Sequence, residues 1–170
     1  RALNLQLRRR EWDFRDHDAI DPITQLYRAE YWKTQINKLQ QSGKSAVIAI
    51  IDINNFSLFN QKHGYTEGDR YLHDIAQLVI MNLRQQDLAC RYAGDRFAIL
   101  MPDVSPMQAD VILNDIKVSI QHLAFRHSQN ANAIYTTARS TQVTLLPNQR
   151  LATVLNTMLL ELERAHGSAA

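Results

Sequence analysis

Six consecutive apolar residues, Ala46-Val47-Ile48-Ala49-Ile50-Ile51, leave this chain few ways to fold. A run of that length and β-branched content suits a central strand buried on both faces. It stops at Asp52, followed by Asn54 and Asn55. A second pair of strand-like runs, Leu88–Tyr92 and Phe97–Met101, is joined by the short polar turn Ala93-Gly94-Asp95-Arg96 and reads as a β-hairpin ending at Pro102. The central strand therefore has strands to pair with, and the rest of the chain must cover its two faces.

That cover is helical. Asp21-Pro22 pairs a capping residue with a first-turn proline, and Ile23, Leu26, Tyr27, Tyr31, Ile36 and Leu39 follow at helical spacing, up to a turn at Ser42-Gly43-Lys44. A short amphipathic helix with Phe56, Leu58 and Phe59 closes at His63-Gly64. Thr66 is placed to cap the next, which carries Tyr71, Leu72, Ile75, Ala76, Leu78, Val79 and Leu83 and ends at Arg84-Gln85-Gln86-Asp87. Ser105-Pro106 starts a further helix, predicted to reach about His122. Residues 126–132 read as a loop. Ala133 to Leu146 reads as strand with a break near Arg139-Ser140, and Leu151 to Ala165 as the last helix.

With 170 residues, 45% of them apolar, the chain suits one domain. The net charge of +2 and the lone basic triplet Arg8-Arg9-Arg10 give no reason to expect a nucleic-acid partner. A single cysteine, Cys90, excludes an internal disulfide, fits a cytoplasmic setting, and reads as a small core residue. No stretch is long and apolar enough for a membrane span. A chain that opens at Arg1 is expected to be a piece of something longer, whose missing part is free to hold an inner-membrane anchor. The charged segment 1–20 is expected to be a connecting helix or linker, 21–167 the domain, and 168–170 a tail.

The order of elements is close to a split β-α-β arrangement, an α+β fold of ferredoxin-like type with helices against an antiparallel-containing sheet. Such a fold brings the end of the first strand to the hairpin tip. Asp52 and Asp95 then converge, and two carboxylates with backbone oxygens make a reasonable seat for Mg²⁺ holding substrate phosphates.

At this level the motifs resemble a known family. Asp21-Pro22-Ile23-Thr24-Gln25-Leu26-Tyr27 is similar to DPLTGLY, Asp52-Ile53-Asn54-Asn55-Phe56 to DxDxF, and Asn60 with Gly64-Tyr65-Thr66-Glu67-Gly68-Asp69 to N…GHxxGD. Arg91-Tyr92-Ala93-Gly94-Asp95-Arg96-Phe97 sits where RYGGDEF belongs. The chain thus resembles the GGDEF domain, of nucleotidyl-cyclase-type fold, whose active members condense two GTP into cyclic di-GMP across a homodimer. The resemblance implies metal ligation by Asp52, the Ile53 carbonyl and Asp95. It implies nucleotide contacts from Asn60, Asp69 and the backbone at Gly94.

The departures from that family bear on catalysis. Arg96 replaces the family's glutamate; a guanidinium stays charged, is no base, and repels Mg²⁺. Ala93 adds a Cβ, Tyr65 replaces a histidine, and Ser57 and Glu163 stand where phosphate-facing lysines belong. No intact catalytic set is expected. Arg84-Gln85-Gln86-Asp87 keeps the RxxD spacing of the family's regulatory cyclic di-GMP site, with Lys117 as a candidate secondary contact. The expectation is a degenerate regulatory module, binding cyclic di-GMP at Arg84 and Asp87 or GTP weakly, linked covalently to a neighbour such as an EAL-type domain. An active diguanylate cyclase and a dimerisation or interaction domain without nucleotide are the alternatives. Asn60 as a helix-end residue, Asp69 as a helix-N-terminal charge, and Arg84–Asp87 as an i, i+3 ion pair are the purely structural readings of the same residues.

Overall fold

The structure is a computed structural model that describes residues 19–127 and 136–168. The predicted linker up to residue 18 and most of the predicted loop at 126–132 lie outside the described residues. The elements are β1 (Tyr27–Arg28), α1 (Ala29–Gln41), β2 (Ala46–Asn54), α2 (Phe56–His63), α3 (Tyr65–Asn82), β3 (Leu88–Ala93), β4 (Arg96–Pro102), α4 (Pro106–His127), β5 (Thr137–Leu145) and α5 (Leu151–Ser168). They build a five-stranded sheet in the order β1-β3-β4-β2-β5. Among the described residues only the β1–β3 pairing is parallel. This is the α+β architecture expected from the sequence.

The apolar run behaves as predicted. Ala46 to Ile53 are all buried, because β4 and β5 flank β2 and helices cover both faces. The strand runs on to Asn54, since Asp52 keeps partners on both sides. Helix α3 turns Gly68, Tyr71, Leu72, Ile75, Ala76, Val79 and Ile80 inward at helical spacing. Helix α4 opens with a capping box: Ser105 Oγ accepts from the Gln108 amide at 3.1 Å, and Gln108 Oε1 accepts from the Ser105 amide at 2.9 Å. Leu123 and Ala124 are buried, so α4 continues past His122.

Three expectations need correction. Thr66 does not cap α3, which starts at Tyr65 after Gly64 and has no side-chain cap. Asp21-Pro22 does not begin a helix. Asp21 Oδ2 accepts from the Thr24 amide at 2.9 Å and its hydroxyl at 2.8 Å, which is a closed turn, and α1 waits until Ala29. The backbone of Tyr27 and Arg28 is drawn instead into pairing with Cys90 and Arg91. Nor does β5 break at Arg139-Ser140; it pairs with β2 without interruption from Thr137 to Leu145.

Candidate functional site

β2 runs towards the hairpin tip, so its end meets the turn between β3 and β4. The Ile53 amide donates to the Asp95 carbonyl at 3.1 Å. Asp52 stands opposite Arg96 on β4 and opposite Arg139 on β5, so all three side chains share one face of the sheet. Arg139 donates to Asp52 Oδ2 through Nη2 at 2.7 Å and Nε at 3.2 Å. Arg96 Nε lies 3.7 Å from Oδ1. Asp52 is 5% exposed. A carboxylate that deep needs a counter-ion, and it has guanidiniums on both sides.

Asp95 is close by. Its carboxyl is pushed above the ordinary aspartate value, first by burial and then by the charge of Asp52. Helix α5 passes over this face: Thr141, two residues along β5 from Arg139, donates to Glu161 at 2.9 Å. Glu163 and Ser57 are exposed.

A resident divalent cation needs carboxylate oxygens turned towards it. Here both Asp52 oxygens face guanidiniums, so the first member of the predicted set of Asp52, Asp95 and the Ile53 carbonyl is already engaged. The donor set does not fit Mg²⁺.

Two of the nucleotide candidates, Asn60 and Asp69, lie in the helices that meet at the junction of α2 and α3. Gly64, at φ 87°, makes the turn between them in a conformation that favours glycine. Asn60 lies against Gly68, one residue before Asp69. Its Oδ1 is buried with no hydrogen-bond partner among the described residues. Asp69 is exposed. Gly94 adopts no left-handed backbone, and a Cβ built there meets nothing within 4 Å. The fold itself makes no demand for glycine at the hairpin tip.

Arg84 and Asp87 lie at the other end of β4. Arg84 forks onto Asp87 through Nε at 3.1–3.2 Å and Nη2 at 2.7 Å. The Arg84 amide donates to Asp87 Oδ2 at 2.8 Å, and Nη2 donates to the Pro102 carbonyl at 2.6 Å. The bonds from Asp87 hold the Arg84 guanidinium above its ordinary pKa. The Asp87 side chain is fully buried and that of Arg84 is 30% exposed. The strand from Arg96 to Pro102 separates this pair from the Asp52 cluster by about 20 Å, at the usual rise of a strand. Lys117 is half-buried on α4.

Arg91 ties the entry turn to the hairpin. Its Nη1 lies 3.3 Å from both Asp21 oxygens, and its Nε donates to the Gly94 carbonyl at 3.0 Å. Burial opposes ionisation of Asp21, but Thr24 and Arg91 outweigh it and keep the carboxyl below the usual aspartate range.

A family model described as diguanylate cyclase, GGDEF domain, matches residues 18–166. The chain belongs to the GGDEF family. Among relatives of this GGDEF chain, the probable diguanylate cyclase DgcJ of Escherichia coli is 32% identical over 108 residues, 61% of this chain and 22% of DgcJ. The response regulator PleD of Caulobacter vibrioides is 30% identical over 111 residues, 63% of this chain and 24% of PleD. The chain thus spans about a quarter or less of the length of these relatives. The crystal structure of the coiled coil and GGDEF domain of DgcB from Caulobacter crescentus, in complex with c-di-GMP, superposes with a TM-score of 0.80 at 21% identity. That match covers 98% of this chain and 90% of the DgcB chain, and it shows a shared fold.

Arg139 is the residue that motif reading missed. It lies in none of the motifs. The available signal was an alternation, Arg139, Thr141, Val143, Leu145, that puts an arginine on the inward side of a strand, where it needs an acid.

Proposed function

We propose that this GGDEF domain is a regulatory module of cyclic di-GMP signalling that does not turn over GTP. The observation that carries this reading is the engagement of Asp52 by Arg139 and Arg96. The aspartate that the family resemblance assigns to metal is neutralised from both flanking strands, and the position assigned to a catalytic carboxylate holds one of the neutralising guanidiniums. Nothing at residue 96 can take a proton from an attacking hydroxyl.

Cyclic di-GMP is the ligand of the Arg84–Asp87 end in this reading, and the partly exposed guanidinium beside the Pro102 carbonyl is its point of entry. Binding there exchanges part of the Arg84–Asp87 fork for phosphate or the acceptor edge of guanine, either of which a guanidinium matches. GTP is a weaker ligand of the other end. Two features support it: the buried Asn60 Oδ1 lacks a donor among the described residues, and the open backbone at Gly94 has no structural need to be glycine. A covalently linked EAL-type neighbour and a homodimer complete the proposal, with residues 21–167 as the domain.

Calorimetric titration with cyclic di-GMP, and separately with GTP, tests it, together with a product assay for cyclic di-GMP. We expect cyclic di-GMP binding that weakens at least about tenfold in Arg84→Lys, which keeps the charge and loses the fork. Formation of cyclic di-GMP by the unaltered domain would sink the proposal. Silence towards both ligands would leave an interaction domain.

A further inference from the structure

We propose that Arg139, with Arg96, replaces the divalent cation in this fold, so that the hairpin end of the sheet is closed to Mg²⁺ and similar ions. The two guanidiniums come from opposite neighbours of β2 and bracket the carboxylate. Arg139 places two donors on one Asp52 oxygen, and Arg96 addresses the other. A divalent ion entering within reach of Asp52 meets two fixed positive charges a few ångströms away, in surroundings that screen poorly. The ion would also have to displace Arg139 from a position only 21% exposed. Arg96 alone does not account for this, since its nearest approach is 3.7 Å and Arg139 makes the short contacts.

The consequence for ligands rests on the nucleotide reading above: GTP bound at this end does so equally well with Mg²⁺ present or chelated.

Mn²⁺ alone is the probe for the cation itself, with uptake read by electron paramagnetic resonance. The unaltered domain should take up no Mn²⁺ that Asp52→Asn abolishes. The double variant Arg96→Glu with Arg139→Gln should acquire one site, lost again when Asp52→Asn is added. Arg139→Gln alone, which retains an amide donor for Asp52, should acquire weaker uptake and serves if the double variant does not fold. Circular dichroism checks the fold of each. Uptake at Asp52 in the unaltered protein overturns the proposal, and so does a folded Arg139→Gln variant that takes up none, alone or with Arg96→Glu. The GTP arm compares affinity in Mg²⁺ and in chelator, and a preference for Mg²⁺ overturns the proposal. If GTP does not bind at all, the nucleotide reading fails while the Mn²⁺ result still decides the cation question.

Discussion

Replacing Arg84 by alanine should damage the fold as well as any ligand site. Asp87 has no solvent exposure in its side chain, and Arg84 supplies it with a charge-assisted fork. Truncation strips those bonds from a buried carboxylate, though the Arg84 amide bond at 2.8 Å stays, and removes a donor from the Pro102 carbonyl. Breaking a buried pair from one side costs about 3–5 kcal/mol. Arg84 is about one-third exposed, so water can enter the vacated space, and the remaining amide bond is kept. The expected loss is therefore about 2–3 kcal/mol. At about 2–4 °C per kcal/mol for a domain of this size, the melting temperature should fall by roughly 4–12 °C. Thermal unfolding followed by circular dichroism measures it. Arg84→Met combined with Asp87→Leu removes both charges and should recover to within about 1–2 kcal/mol of the original. A melting temperature unchanged in Arg84→Ala would refute the reasoning and show that the pair is decorative. The same experiment decides how a loss of cyclic di-GMP binding in Arg84→Ala is to be read.

Gly94→Ala should leave the stability unchanged or raise it by about 0.4–1 kcal/mol, since no neighbour meets the new methyl and the unfolded chain loses freedom; chemical denaturation tests it. Gly68→Ala should cost about 1–3 kcal/mol, because its Cβ overlaps the Asn60 amide and comes within 3.4 Å of the Phe56 ring; the same assay applies. Asp21 has a depressed pKa, so its stabilising contribution is present above the unfolded value of about 3.9 and is lost as pH falls through the folded one. Urea midpoints of Asp21→Asn and the original protein should differ at neutral pH and converge in acid. Cys90 is fully buried and burial pushes its thiol pKa up, so it should resist a thiol reagent in the native state and react on unfolding.

The elements that depend on short-range pattern were legible. The six apolar residues of β2, the hairpin and the Ser105-Pro106 start of α4 each declare themselves within a few positions. The Asp21 turn is deceptive in sequence because its hydrogen bonds to Thr24 imitate a helix cap, while what postpones the helix is pairing of Tyr27 with Cys90, far along the chain. Asp52, Asp95 and Arg96 were singled out as candidates through motifs. Arg139 was not, because its partner is fixed only by the order of strands in the sheet, and a threonine-rich segment with polar interruptions gives that order away poorly.

The bracketing of Asp52 also bears on how β5 finds its alignment. Among the described residues β5 is an edge strand paired with β2 alone, and most of its residues are neither well buried nor fully exposed. Apart from Val143 and Leu145 near its end, such a strand has little apolar preference between one pairing and its slipped alternatives. A slip of one residue would turn Arg139 to the opposite face and leave the buried Asp52 with only the longer contact to Arg96. The ion pair that shuts out a metal therefore also rejects misaligned sheets.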